Sequence, residues 1–431
     1  MKRNNRLEFL RKRVLNKEIG SRKKHSKPIE LIVKTEFKKR DWLAKELGRV
    51  GKVTRVFSAI PYLSFLCDAA DAYDLNQVFR RLADDRAYKS IAAAISVIDV
   101  SNTFSIPSIT KNANRGKSSE LWNLGDIGAY EAQRIALGEG VKVAIIDTGV
   151  DYNHPEVSGS FGSVRGYDFV RNVSDPMDFN GHGTHVAGIA LGRNYGIARA
   201  SVVYAVRVLD EAGMGSEADT IAGMDWADKQ DADVVNLSLG SPYASAALED
   251  MCYYLANKGT LIVAAAGNSG FGPNYPAAFG EPVIAVAAVD EQNRHAGFSN
   301  VYETNDISAP GVDIVSSYNG GYASLSGTSM AAPHVTGSLA LVLSALKSNR
   351  DLGALMEDTA QNLEEGSFPE RDVYGAGLLR VDLMAKAVVE NRMKSPFHSY
   401  GRKVVNVLKG EVVNVLKGEV VNVLKEVLWG E

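Results

Sequence analysis

Five short apolar runs restrict the fold more than any other feature of this chain. VKVAIID (141–147), SVVYAVRVL (201–209), DVVNLSL (233–239), LIVAAAG (261–267) and VIAVAAV (283–289) are rich in Val, Ile and Ala, with little polar interruption. A strand with one wet face alternates polar and apolar residues; a strand buried on both faces does not. Segments of helical character separate the runs, such as EADTIAGMDWADKQ (217–230) and the stretch around 245–259. This alternation predicts an α/β fold: a doubly wound, mostly parallel sheet with helices on both faces. Ligands of such sheets bind beyond the carboxyl ends of the strands. Asp147 closes one run and Asn268 follows the end of another.

The 431 residues leave room for a second, smaller unit. Residues 29–100 predict a compact α+β domain of ferredoxin-like layout. Strands are expected at 29–37, 52–60, 62–69 and 90–100, and helices at 38–48 and 74–85, the latter opened by Asp74 as N-cap. Residues 101–120 are rich in Ser, Asn, Thr, Lys and Gly without periodicity, and read as a linker open to proteolysis. Residues 1–28 form a basic leader with eleven Lys or Arg against two Glu, read as a solvated segment. The α/β domain is placed at 121–392. The tail, 393–431, carries VVNVLKGE at 404–411 and 412–419 and VVNVLK again at 420–425, read as an appendage without a catalytic role.

A net charge of -3 gives no reason to expect nucleic acid as a partner, and no apolar run has the length of a membrane span. Cys67 and Cys252 are too few for a disulfide framework or a zinc site, and read as buried thiols.

Three glycine-studded segments carry the chemistry: VAIIDTGVD around Asp147, NGHGTHVAG around His182 and GTSMAAPH around Ser329. A serine hydroxyl is a weak nucleophile at neutral pH; it needs a base in hydrogen-bond reach, and the base needs an orienting carboxylate. Residue type alone leaves rivals open: Asp151 for Asp147, His185 for His182, and Ser326 or Thr328 for Ser329. Small residues followed by a long apolar stretch predict a buried helix with Ser329 near its start, where Pro333 is tolerated.

These segments, in the order Asp, His, Ser, resemble the active-site motifs of the subtilisin-like serine proteases, the subtilase family, over roughly residues 121–392. The resemblance implies a serine endopeptidase acting on polypeptides through an acyl-enzyme, with Asp147, His182 and Ser329 as triad and no cofactor needed for the chemistry. It implies that Asn268, in AAAGNSG, completes an oxyanion hole with the N–H of Ser329. Ser238, Leu239 and Gly240 in NLSLGSP match one wall of the substrate track, and Gly213, Met214 and Gly215 the other. Ala265, Ala266 and Gly267 fall at the base of the P1 pocket, for which an apolar P1 residue of medium to large size is expected. Tyr275-Pro276 matches a cis-proline site of the family.

The family's calcium loop lies after His182. Here only GRNYGIARA (192–200) remains, and Glu156 in HPEV matches a single acidic ligand. A structural Ca2+ is therefore in doubt, and Glu156 reads instead as a surface salt-bridge partner. Residues 29–100 resemble, by layout, the family's propeptide, an intramolecular inhibitor and folding aid. The protein would then be a self-processed zymogen, cut between Val100 and Glu120, and a monomer when mature. Relatives are mostly secreted but residues 1–28 show no secretory signal, which leaves extracellular and cytoplasmic locations both open.

Overall fold

The computed structural model describes residues 29–48, 52–67, 97–106, 110–112, 121–346, 352–363 and 370–390. The leader, the helix expected at 74–85, the first part of the strand expected at 90–100 and the repeats beyond 393 lie outside the described residues.

Four antiparallel strands open the chain: β1 (Ile29–Lys34), β2 (Lys52–Val56), β3 (Tyr62–Cys67) and β4 (Val97–Val100), in the order β2-β3-β1-β4, with helix α1 (Phe37–Leu47) packed on them. Residues 101–120 depart from the structureless linker read from sequence, because two short strands lie there, β5 (Thr103–Ser105) and β6 (Thr110–Asn112). Helices α2 (Trp122–Asp126) and α3 (Ala129–Ala132) lead into the main domain.

The five apolar runs become central strands. β7 (Lys142–Asp147), β8 (Phe161–Asp168), β9 (Val202–Arg207), β11 (Val234–Leu237), β12 (Leu261–Ala265), β13 (Ile284–Val289) and β14 (Asn305–Pro310) form one sheet in the order β14-β13-β12-β11-β7-β9-β8. Every neighbouring pair in it is parallel. Between these strands lie α4 (His182–Leu191), β10 (Met214–Ser216), α5 (Glu217–Lys229) and α6 (Ala246–Lys258); the hairpin β15 (Ile314–Tyr318) and β16 (Gly321–Ser326) then leads into α7 (Thr328–Ala345). β7 shows why the runs are unbroken. Val143 and Ile145 join the core under α4 and α7, while Ala144 and Ile146 join the core under α5 and α6.

The second of these cores does not stop at the main domain. Ile32, Phe57, Ile60, Tyr62 and Phe104 from the N-terminal part are buried in the same cluster as Ile221, Leu248 and Met251 of α5 and α6. Fully burying one such side chain contributes about 1.5–3 kcal/mol, so this packing holds the N-terminal sheet against the two helices.

Candidate active site

The carboxyl end of β7 delivers Asp147, and α4 begins at His182. Asp147 Oδ1 accepts from His182 Nδ1 at 2.8 Å and from the Thr148 N–H at 2.7 Å, and both acidic and imidazole side chains are wholly buried. This closeness depends on Gly183, where a Cβ would collide with the carbonyl of Gly149 and lie 3.1 Å from Asp147 Cβ. With Nδ1 donating to the carboxylate, Nε2 is left as the acceptor. That nitrogen is buried and has no hydrogen-bond partner among the described residues.

Sequence reading missed Asp178. Its Oδ1 accepts from the N–H groups of Asn180 and Gly181, and its Oδ2 from the Thr184 N–H and hydroxyl. A carboxylate here satisfies the orphan N–H groups at the start of α4 and suits the positive end of the helix dipole. Burial raises its pKa, against those hydrogen bonds. The turn sequence Asp178-Phe179-Asn180-Gly181, directly before the helix, was the available signal.

The rivals have other duties. Asp151 forms a turn, its Oδ1 accepting from the Asn153 N–H and its own N–H donating to Thr184 Oγ1. His185 Nε2 lies 3.1 Å from the Ile314 carbonyl and 3.0 Å from that of Ala323, tying α4 to the β15–β16 hairpin. Burial pushes its pKa down to about 3, so it stays neutral. Ser326 Oγ accepts from the Asp313 N–H.

Ser329 is the second residue of α7. Pro333 has no N–H, so the Ser329 carbonyl, four residues earlier, lacks its helical donor. Ser238 supplies it: Ser238 Oγ donates to the Ser329 carbonyl at 2.9 Å, and Ser329 Oγ donates back to the Ser238 carbonyl at 3.1 Å. The serine hydroxyl thus points at Ser238 and not at His182 Nε2. Catalytic hydrogen bonds commonly align only when substrate is bound. Asn268 Oδ1 accepts from the N–H and hydroxyl of Thr328, at 2.9 and 2.7 Å. Those two donors fix the carboxamide with its nitrogen directed away from Thr328. Tyr275-Pro276 is cis, as the resemblance implied.

The two walls named from sequence hold a strand between them, and it is β5. Met214, Gly215 and Ser216 pair antiparallel with Ser105, Phe104 and Thr103. On the other side Ser105 and Gly240 exchange two backbone hydrogen bonds, at 3.2 and 3.0 Å, and the Ile106 N–H donates to the Gly213 carbonyl at 3.1 Å. Past Ile106 the chain re-emerges as β6, with Thr110, Lys111 and Asn112 antiparallel to Ser326, Leu325 and Ser324. β16 is a third wall that sequence reading did not find. Gly240 lies two residues after Ser238, which hydrogen-bonds Ser329, and Ser326 three before Ser329, so both ladders end near the serine in the chain.

Ala265 and Ala266 are buried, and Asn274 reaches between Gly240 and Gly267 with its Nδ2 donating to the Ala265 carbonyl at 2.8 Å. A Cβ at Gly267 would lie 2.9 Å from Asn274 Cβ. A carboxamide, absent from the apolar expectation, therefore borders the residues assigned from sequence to the P1 pocket.

Acidic side chains of the main domain receive the N-terminal sheet. Asp225 accepts from the N–H groups of Ser58 and Ala59 and from the Ser58 hydroxyl, Asp219 pairs with Arg55 at 2.7 Å, and Asp250 pairs with Lys34 at 2.6 Å and accepts from Tyr62. Glu217, at the start of α5, accepts from the N–H and side chain of Asn102 just before β5.

Two sequence readings need correction or limits. Glu156 is not a surface salt-bridge partner; it is 2% exposed and hydrogen-bonded to Asn194 and Tyr322. Cys252 is buried and burial pushes its thiol pKa up, whereas the Cys67 side chain lies outside the described residues. Among the described residues no cluster of three His, Cys, Asp or Glu side chains has the arrangement of a metal site, and no helix is long and apolar enough to cross a membrane.

Residues 138–377 match the model of the subtilase family. The chain is 46% identical over 231 residues to the thermophilic serine proteinase of Bacillus sp. (strain AK1), covering 52% of this chain and 57% of that protein. It is 44% identical over 255 residues to thermitase of Thermoactinomyces vulgaris, covering 57% and 90% of the two chains. Subtilisin Savinase of Lederbergia lenta is 41% identical over 271 residues, covering 61% of this chain and 97% of its own length.

Proposed function

Because the chain belongs to the subtilase family of serine endopeptidases, we propose that Asp147, His182 and Ser329 are its catalytic triad and that it is made as a zymogen that cuts itself. The observation that carries the triad is the Asp147–His182 hydrogen bond, with Nε2 left as acceptor in a buried site. Rotation about the Ser329 Cα–Cβ bond turns its hydroxyl from the Ser238 carbonyl toward that nitrogen. Nε2 takes the Oγ proton as Oγ bonds to the substrate carbonyl carbon. The carbonyl oxygen becomes an oxyanion, facing the Ser329 N–H and the Asn268 carboxamide. Collapse breaks the C–N bond, and the imidazolium gives its proton to the departing amine. Water, activated by the same histidine, then hydrolyses the ester. Asp147 holds the tautomer and stabilises the imidazolium throughout.

As an early residue of α7, Ser329 has an N–H with no intrahelical acceptor, and the positive end of the helix dipole lies beside it. If Asn268 is the second donor, Asn268→Leu lowers kcat by roughly 10²–10³ with little change in KM. Steady-state kinetics on a peptide substrate reads this, and a loss under about threefold removes Asn268 from the mechanism.

Self-cleavage is supported by the pairing of β5 with Met214–Ser216 and of β6 with Ser324–Ser326. Ile106 is held on Gly213 and Thr110 on Ser326, so the cut is assigned to one of the bonds from Ile106–Pro107 to Ile109–Thr110. This narrows the cut from the whole of 101–120. The N-terminal sheet, docked on Asp219, Asp225 and Asp250, then serves as the inhibitor that covers the track. N-terminal mass spectrometry of freshly expressed protein should give a first new terminus at residue 107, 108, 109 or 110. A first cut before Thr103 or after Asn112 overturns the zymogen reading while leaving the triad standing.

A further inference from the structure

The resemblance to the subtilases implies a calcium ion near the segment that follows the histidine helix, with Glu156 matching one acidic ligand. The surroundings of Glu156 do not fit that ion. Calcium takes six to eight oxygen ligands, all of which must turn lone pairs toward it. Here the groups converging on the carboxylate are donors. Glu156 Oε2 accepts from the Asn194 N–H at 2.8 Å and from the Tyr195 N–H at 3.4 Å. Its Oε1 accepts from Asn194 Nδ2 at 2.8 Å and from the Tyr322 hydroxyl at 3.1 Å. An N–H cannot coordinate a cation, and both oxygens are already engaged.

The main chain closes the same knot. The Arg193 N–H donates to the Glu156 carbonyl at 2.8 Å, and the Glu156 N–H donates to His154 Nδ1 at 3.2 Å. With Nδ1 accepting, His154 carries its proton on Nε2, which donates to the Gly321 carbonyl at 2.7 Å. The Tyr322 ring lies 5.0 Å from that of Tyr195 and stands edge-on to His154 at 5.2 Å. Burial, and then the charge of Glu156, raise the pKa of both phenols, so Tyr322 stays a donor.

We infer that Glu156, with Asn194, Tyr195 and Tyr322, forms a metal-free clasp that fastens the 192–200 segment to the 154–157 turn and to β16, in place of the family's calcium ion. Four charge-assisted hydrogen bonds to the carboxylate and one to its main-chain carbonyl, donated by residues 193–195 and Tyr322, pin the loop to the core. This inference is independent of the catalytic reading, and its test needs no activity.

The test is thermal unfolding of the full chain carrying Ser329→Ala, which keeps it from digesting itself, measured in excess calcium chloride and in excess EGTA. Glu156→Gln is measured beside it. Gln presents its Nε2 to one of the donor groups, so one donor faces another. The expected results are a midpoint that calcium does not move, or moves equally with and without Glu156→Gln, and a midpoint lowered by several degrees by Glu156→Gln in EGTA. Two results overturn the inference: a calcium-induced rise that Glu156→Gln removes, or a Glu156→Gln midpoint in EGTA equal to that of the parent. Isothermal titration with calcium separates binding from unfolding, because heat that vanishes with Glu156→Gln assigns the ion to this carboxylate.

Discussion

Ser329→Ala should lower kcat on a peptide substrate by on the order of 10⁶-fold and leave the chain at full length. The substitution removes the atom that forms the acyl-enzyme, so no partial chemistry through the triad survives. Its effect on the fold is small for a reason specific to this site. The contact that repairs the helix opened by Pro333 uses the backbone carbonyl of residue 329, which alanine retains, and the Ser238 hydroxyl. Only the return bond from Ser329 Oγ to the Ser238 carbonyl is lost, a matter of about 1 kcal/mol. The thermal midpoint should therefore stay within a few degrees of the parent's while turnover disappears. Intact mass of the purified protein gives the second readout. If the variant is still cut between Ile106 and Thr110 when expressed in a protease-deficient host and purified alone, Ser329 is not the residue that cuts the chain.

The parts of this site legible in sequence share a cause. The ends of buried parallel strands are marked by the end of an apolar run, so Asp147 and Asn268 announce their own position above the sheet. Ser329 announces itself by the small residues and the proline that open a long apolar helix. β5 and β6 give no such sign. They are three residues each, polar in part, and their strand character comes from pairing with Met214–Ser216, Gly240 and Ser324–Ser326 rather than from their own pattern. Strand formation of that kind depends on the partner edge and not on local propensity. Asn274 and Asp178 were hidden differently. Each acts through hydrogen bonds to backbone groups that only the fold brings near, Ala265 for the first and the opening turn of α4 for the second. Glu156 was misread because an isolated acidic residue is usually a surface residue, and its donors come from segments nearly forty and more than one hundred and sixty positions away.

Asp147→Asn should cost about 10⁴-fold in kcat at pH 7, less than removal of the serine but far more than loss of one oxyanion donor. The carboxylate oxygen that faces His182 serves two donors, the imidazole Nδ1–H and the Thr148 N–H. Asparagine has two orientations, and neither reproduces this. With its oxygen in that place, both donors are kept, but the amide nitrogen falls where Asp147 Oδ2 sits, buried with no hydrogen-bond partner among the described residues. The negative charge that stabilises the imidazolium is gone as well. With the amide reversed, its N–H₂ faces the Thr148 N–H and drives His182 into the tautomer that carries the proton on Nε2. That nitrogen then cannot accept from Ser329. The first orientation weakens the base and the second removes it, so the loss appears in kcat whichever is populated, and KM changes little because no substrate contact is touched. A variant that keeps more than a tenth of parental kcat at pH 7 would mean that this hydrogen bond does not set the tautomer. Asp147→Ala distinguishes charge from tautomer: it removes the carboxylate without offering a competing donor, and should be no slower than Asp147→Asn if the reversed amide is what stops the histidine from accepting the serine proton.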